Sequence, residues 1–270
     1  MYEYQSDKRL YEKYRDGGKP FEIKRHTVKD YYAHFHFAVE ICSVRRGSFE
    51  FILNGARGRA SEGEILFVNS GEIHQYFESD GCEVVICIMN DTYTADFTAE
   101  FGNVRFDSLL TDGQANAEAA RLMDEEFGRQ NDDFFLDKKV FADRLYGILC
   151  RAYPVRPPRK EQLLLSEVLE YVHSHFKENL TVGFVAEQFS YSRSRFLKLF
   201  QRNVGVDFRV FLNDMRAGTV HHALRDPQYV GWTLIQVVQE CGFQSMATFY
   251  RSYKRLYGRL PERNALKRKM

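Results

Sequence analysis

No apolar run in these 270 residues approaches the ~18 that a membrane-crossing helix needs, which excludes a helical span. Residues 1–15 are polar and charged, not the basic-then-apolar texture of a signal peptide. Cysteine is scarce and scattered. Cys42, Cys82, Cys87, Cys150 and Cys241 are odd in number and form no C-x-x-C pair. That excludes a disulfide framework and reads as reduced thiols in a cytoplasmic protein. Proline is sparse too, and three of the six fall within five positions, Pro154, Pro157 and Pro158.

Aromatic residues, by contrast, make up 15% of the chain, enough for well-filled cores or a lined pocket. The length suits two domains. The overall charge of +1 conceals an asymmetry. Residues 1–162 carry 22 Lys and Arg against 28 Asp and Glu, a net −6, whereas 163–270 carry 16 against 9, a net +7. A basic C-terminal half suits a polyanionic partner and an acidic N-terminal half does not.

Residues 1–20 read as a loosely ordered lead-in. From 21 to 89, short apolar or alternating runs lie between turn signals: 22–28, 39–45, 48–53, 64–68, 75–78 and 83–89. Such spacing predicts an antiparallel sandwich or barrel. Asn54-Gly55 is a type I′ hairpin signal.

Within this region lies His34-x-His36-x-x-x-Glu40, followed by Gly47, and later Gly63, Gly71 and His74. The pattern resembles the two cupin motifs, with Asn69 where the second would carry proline. Imidazoles two apart on a strand share a face, and so does a residue four further on. His74 from a neighbouring strand completes a three-histidine, one-carboxylate set suited to Fe, Mn, Ni or Zn. Three readings stay open for His34, His36, Glu40 and His74: a divalent metal site, the polar lining of an effector pocket, or a structural cap on the barrel mouth. Tyr31, Tyr32, Phe35, Phe37 and Tyr76 are candidates for a pocket wall or for core.

Residues 115–129 and 136–151 predict helices. Val140, Phe141, Leu145, Ile148 and Leu149 form an apolar stripe on the second, which needs either the barrel or a second subunit as partner. The proline cluster marks a linker over 153–162, where helix is disfavoured and the charge changes sign.

The last hundred residues repeat. Thr181 and Thr233 each precede an apolar helix, Ser190-Tyr191 and Gly242-Phe243 follow as turns, and further helices end at Gly205 and Gly258. Phe196-x-x-x-Phe200 aligns with Phe249-x-x-x-Tyr253 at an offset of 53, which Gly205 and Gly258 share, while the threonines are 52 apart. Expected helices run over 164–176, 182–189, 192–202, 207–224, 234–241 and 245–257. The stretch from Gly242 to Pro261, with its glycine, aromatic, basic and proline positions, resembles the C-terminal signature of the AraC/XylS family of bacterial transcription regulators. The repeated region as a whole departs from the family pattern in three places: Tyr253 stands for phenylalanine, Ser190 for the commoner glycine, and Val238 for a small alanine between helices.

The resemblance implies a multidomain α and β protein. Its parts would be a cupin-like antiparallel β-barrel sensing an effector (21–110), a helical connector (111–152), the linker, and an all-α DNA-binding domain with two helix-turn-helix units (163–270). In a helix-turn-helix the second helix lies in the major groove with its N-terminal residues on base edges. By match to the family, Arg193, Ser194, Leu197 and Lys198, then Met246, Ala247, Thr248 and Arg251, face bases, while Arg195 and Lys254 reach phosphate. The tail Lys267-Arg268-Lys269 reads as solvated. The partners implied are an operator in double-stranded DNA, a small-molecule effector with a sugar as the family default, RNA polymerase, and a second copy through 111–152. The implied protein is a regulator, not an enzyme. A metal-dependent cupin enzyme fused to a DNA-binding tail, or a constitutive DNA-binding protein with a structural barrel, are the alternatives.

Overall fold

The structure is a computed structural model that describes residues 20–79, 81–129 and 134–261, the side chain of Tyr32 aside. The expected lead-in and the basic tail lie outside the described residues, apart from Pro20. The chain divides into two compact units, meeting between Leu163 and Leu164.

The first unit is built from nine strands and three helices among the described residues. The strands are β1 (Phe21–Thr27), β2 (Tyr31–His34), β3 (Val39–Arg46), β4 (Ser48–Leu53), β5 (Ala56–Ser61), β6 (Ile65–Val68), β7 (His74–Tyr76), β8 (Glu83–Met89) and β9 (Leu109–Leu110). They form two antiparallel sheets, ordered β1-β8-β3-β6-β9 and β2-β7-β4-β5. The β4–β5 hairpin turns at Asn54 and Gly55, whose φ values of +48° and +80° are those a type I′ turn requires.

Burial follows from sequence texture. In β4, Phe49, Phe51 and Leu53 are buried and alternate with half-buried neighbours, so one face is inward. β8 is instead apolar at every position after Glu83, because both of its faces are covered. Val84, Ile86 and Ile88 join the core between the sheets, with Cys42, Phe49, Phe51, Leu66 and Tyr76. Val85, Cys87 and Met89 point the other way, into a second core roofed by helices.

Those helices are α1 (Asp91–Phe101), α2 (Gly113–Gly128) and α3 (Phe135–Ala152). α1 was not expected. Its N-cap is Asn90, whose side chain accepts from the Thr92 amide at 3.1 Å. The apolar stripe of α3 lies against the sheet: Phe141, Leu145, Ile148 and Leu149 are buried there, whereas Val140 is 56% exposed. A buried pair, Lys138 Nζ to Glu126 Oε1 at 2.6 Å, ties α3 to α2. After α3 the chain is extended, as the prolines require, and it is pinned down. Arg156 pairs backbone to backbone with Arg105, and its guanidinium meets Asp107 at 3.0 and 3.1 Å.

The second unit is all helical. It comprises α4 (Lys160–His175), α5 (Val182–Gln188), α6 (Arg193–Val204), α7 (Phe208–Ala223), a 3₁₀ turn at Pro227–Tyr229, α8 (Leu234–Glu240) and α9 (Met246–Tyr257). α4 begins four residues before its expected start, directly behind the prolines. Phe196, Phe200, Phe208 and Phe211 form one aromatic nucleus, with centroid separations of 5.3–5.8 Å. Phe243, Phe249 and Tyr253 form the other, at 5.4 Å.

Candidate nucleic-acid interface and buried histidine site

Each helix-turn-helix unit is set by local chemistry. Thr181 Oγ1 accepts from the Phe184 amide at 3.1 Å, starting α5. Thr233 and Gln236 form a reciprocal capping box at the start of α8. The second helices, α6 and α9, both end in a left-handed glycine, Gly205 and Gly258. Ser192 Oγ caps α6, at 3.4 Å from the Arg195 amide.

The two turns are the matched positions Ser190 and Gly242, and both have positive φ, +59° and +91°. Ser190 therefore takes the conformation that glycine would adopt more readily. Gly242 has a second constraint. A Cβ there would sit 2.7 Å from Lys177 Cα, 2.8 Å from Lys177 O and 2.9 Å from Arg216 Nε. Arg216 is buried and donates to the carbonyls of Phe176 and Glu178, at 2.7 and 2.6 Å. Burial pushes its guanidinium pKa down, and those two carbonyls hold it in place. The turn of the second unit is thus seated on the end of α4.

The departures from the family pattern are accommodated. Val238 is buried in the same core as Phe243 and Phe249. The Tyr253 hydroxyl, which phenylalanine would lack, lies 2.7 Å from His221 Nδ1.

Of the residues singled out for DNA, Arg193, Ser194, Arg195 and Lys198 on α6, and Ala247, Arg251 and Lys254 on α9, are exposed. Leu197, Met246 and Thr248 are half-buried, with Met246 partly packed on the core. The Arg195 guanidinium lies 4.9 Å from the Tyr191 ring centroid, and Arg251 Nη2 is 3.3 Å from Thr248 Oγ1. Phe196, Phe200, Phe249 and Tyr253 occupy the opposite, buried faces. Each second helix thus offers a polar, largely basic face.

In the first unit, His34, His36, Glu40 and His74 come together. One ligating atom from each lies within 4.8 Å of all the others, and every residue is 1–2% exposed. The expectation that His34, His36 and Glu40 share a strand face is corrected. β2 ends at His34 and β3 begins at Val39, so the chain changes sheets between them. Convergence is tertiary: His34 pairs with His74 across β2 and β7, while Glu40 enters from β3. Ring centroids are 4.0 Å apart for His34 and His74, 5.1 Å for His36 and His74, and 5.9 Å for His34 and His36.

Hydrogen bonds fix two of the rings. His36 Nδ1 is 2.9 Å from the Ala38 carbonyl and His74 Nδ1 is 2.9 Å from the Glu72 carbonyl. A carbonyl only accepts, so both Nδ1 atoms donate. Tyr76 donates its hydroxyl to Glu40 Oε1 at 2.6 Å. The other oxygen, Oε2, lies 3.3 Å from His36 Nε2 and 3.8 Å from His74 Nε2. The Cys42 thiol is nearby on β3. Burial, and then the Glu40 charge, push its pKa well up, so it stays protonated.

Two contributors escaped the sequence reading. Asn69, in the place of the motif proline, exchanges hydrogen bonds with the Phe106 backbone at 3.1 Å in both directions. Its amide and side chain also donate to Glu72, at 2.9 and 3.1 Å. Burial raises the Glu72 carboxyl pKa, opposed by Arg105 at 3.4 Å and by Asn69. The only sequence signal for this network was that asparagine replaced proline. Next to it is a cleft of about 230 Å³ whose lining includes Phe97, Phe106, Tyr146, Asn69, Thr94 and Arg105. It lies on the outer, helix-covered side of the sheet. Of the aromatic pocket candidates, Phe35 and Tyr76 are buried, Tyr31 packs against the inner core, and Phe37 lines this cleft.

Known proteins share this layout. The description "AraC-like ligand binding domain" fits residues 22–135, and a helix-turn-helix domain description fits 185–265. An uncharacterised HTH-type transcriptional regulator of Staphylococcus aureus strain MRSA252 is 31% identical over 222 residues, covering 76% of this chain. This chain spans only 28% of that relative's length. A Photobacterium leiognathi protein described as "probable transcriptional regulator LumQ" is 22% identical over 85% of this chain and 90% of its own length. The crystal structure of an apo ToxT variant from Vibrio cholerae superposes with a TM-score of 0.52 at 12% identity, over 91% of this chain and 97% of that one, a likeness of fold. The chain thus joins an AraC-like ligand-binding domain to a helix-turn-helix domain, the two-domain layout that its resemblance to AraC/XylS regulators implies.

Proposed function

We propose that this chain binds a specific DNA operator through α6 and α9 and that a small molecule taken up by the barrel unit controls that binding. The observation that carries the reading is the repeat itself. Two second helices, each held by its own aromatic nucleus and seated behind a capped first helix, present Arg193, Lys198, Arg251 and Lys254 to solvent. Arginine grips guanine O6 and N7 with two parallel bonds, and Lys254 and Arg195 supply phosphate contacts. Two such helices in successive major grooves read an asymmetric site about two turns long.

Selection of sites from a random DNA pool with the whole chain, followed by titration, tests this. Arg251→Ala weakens the selected site by ~1–3 kcal/mol and relaxes one base preference. Equal loss on selected and random DNA sinks the base-contact role.

For the effector, the cleft beside Asn69 and Arg105 supports a sugar or related metabolite: aromatic rings for an apolar face, amide, hydroxyl and guanidinium groups for hydroxyls. For self-association, Phe134, Leu136 and Val140 at the start of α3 are each 56% exposed, which supports a dimer through the connector helices. Contact with RNA polymerase, and a cytoplasmic site of action, belong to the same reading.

A further inference from the structure

We propose that the segment from Asn103 to Asp107 couples the cleft to the linker, so that a molecule in the cleft holds the linker against the barrel unit. The inference rests on the reading that this cleft takes the effector, and it names the route by which occupancy is passed on.

One short stretch of chain serves both sides. Asn103, Val104, Arg105 and Phe106 line the cleft together with Asn69. Arg105 is bonded towards the linker. Its amide donates to the Arg156 carbonyl at 2.8 Å, and its carbonyl accepts from the Arg156 amide at 3.0 Å. Phe106, the next residue, is bonded towards the cleft. Its amide donates to Asn69 Oδ1 and its carbonyl accepts from Asn69 Nδ2, both at 3.1 Å. Two successive residues thus join a polar group of the cleft wall to the linker through their backbones alone. The Phe106 ring also stacks near Phe97, another cleft residue, with centroids 5.8 Å apart and planes 19° from parallel.

Occupancy tightens this arrangement. Both donors of the Asn69 side chain are in use, to Phe106 O and to Glu72 Oε2, each at 3.1 Å. Its Oδ1 accepts once among the described residues, which leaves one lone pair. A ligand hydroxyl donating to Oδ1 therefore adds a bond without displacing Phe106. The linker side is the weaker one. Arg156 and Asp107 pair through side chains that are both 62% exposed, and such a pair contributes little. Val155 is only partly buried against the helix-covered core. A bridge of two backbone bonds is itself modest in net effect, so contacts that fix Arg105 and Phe106 bias it. Pairing in turn sets the free length of chain ahead of α4. From Arg156 to Lys160 the chain advances four residues, ~12 Å when extended; from Tyr153, which caps α3, it advances seven, ~22 Å. A bound ligand favours the short tether, and its loss favours the long one.

The test is amide hydrogen exchange on the whole chain. Asn69→Ala is expected to speed exchange of the Arg156 amide roughly tenfold, through Phe106 and Arg105. An unchanged Arg156 amide in the folded variant overturns the coupling, whichever molecule the cleft takes. Should Asn69→Ala not fold, Arg156→Pro decides. It removes one donor of the bridge, and exchange at the Asn69 and Phe106 amides is expected to rise. No rise there overturns the coupling. D-glucose, D-galactose, D-xylose and D-glucuronate at millimolar concentration are the ligand probes. A sugar that raises the melting temperature is expected to slow exchange at Arg105 and Arg156. By reciprocity it binds Arg156→Pro at least ~5-fold more weakly, and Arg156→Ala, which keeps the amide, nearly as well as the wild type. Binding without either effect overturns the coupling and leaves the sugar reading standing. Binding by none of the four counts against the sugar reading alone, and the exchange rates of the two variants decide the coupling.

Discussion

At Ser190 and Gly242 the same backbone turn is made by different residues, and the two environments have opposite consequences. Ser190 is exposed and holds a φ of +59°, a conformation that costs a non-glycine residue roughly 1–2 kcal/mol. Glycine relieves that strain but adds freedom to the unfolded chain worth roughly 0.5–1 kcal/mol. Ser190→Gly is therefore expected to stabilise by up to about 1 kcal/mol. Gly242 has no room for even a methyl group, since its Cβ position is overlapped by the Lys177 backbone and by a buried arginine that cannot swing away. Gly242→Ala is expected to cost about 2 kcal/mol or more, through strain and overpacking together. Denaturant melts of the two variants check both signs; a neutral Gly242→Ala contradicts the close packing of this turn on α4.

Helix α3 shows how one element divides its apolar residues between two tasks. Phe141, Leu145, Ile148 and Leu149 point into the sheet and belong to the fold. Leu136 and Val140 lie outside that contact, each 56% exposed. Leu145→Ala is thus expected to lower stability by ~2–5 kcal/mol. Leu136→Glu with Val140→Glu leaves the melting of the monomer unchanged but, if the connector pairs with a second copy, shifts sedimentation towards monomer. An unchanged dimer in the double variant removes this face from the interface. Periodicity alone made the stripe visible without saying which residues it would bury, because two acceptable surfaces compete for one face.

Across the molecule, the two units have cores of different texture. The barrel unit has one core between its two sheets and another under its helices, and the helical unit is organised around two aromatic nuclei. A ligand of the barrel unit acts on the first. A sugar that binds the cleft, at a hundred times its Kd, is expected to add about 2.7 kcal/mol to that unit's stability. Gly242→Ala acts on the second. Calorimetry of the whole chain therefore has a clear expectation: the sugar raises the transition that Gly242→Ala leaves in place. A protein stabilised by no small molecule and no metal would instead have a purely structural barrel.

The helix-turn-helix repeat was legible in the sequence because its determinants are local. Capping threonines, turn residues and stop glycines act over a few positions, and aromatic spacing of four follows from the helical repeat. The family resemblance, the antiparallel strands and the Asn54-Gly55 hairpin were readable for the same reason. Other features depended on contacts between distant residues. α1 has little apolar periodicity and was missed, although Asn90 caps it. The histidines were recognised as a set, but strand alternation was the wrong reason for their meeting, since the chain leaves one sheet and enters the other between His34 and Glu40. Which ring nitrogen faces inward, the holding of Glu40 by Tyr76, and the bridge from Asn69 to Phe106 join residues that are far apart in the chain. Sequence determined which chemical groups are available and the local turns that carry them. Only the tertiary structure decided which of those groups lose water together and which atoms they turn towards one another.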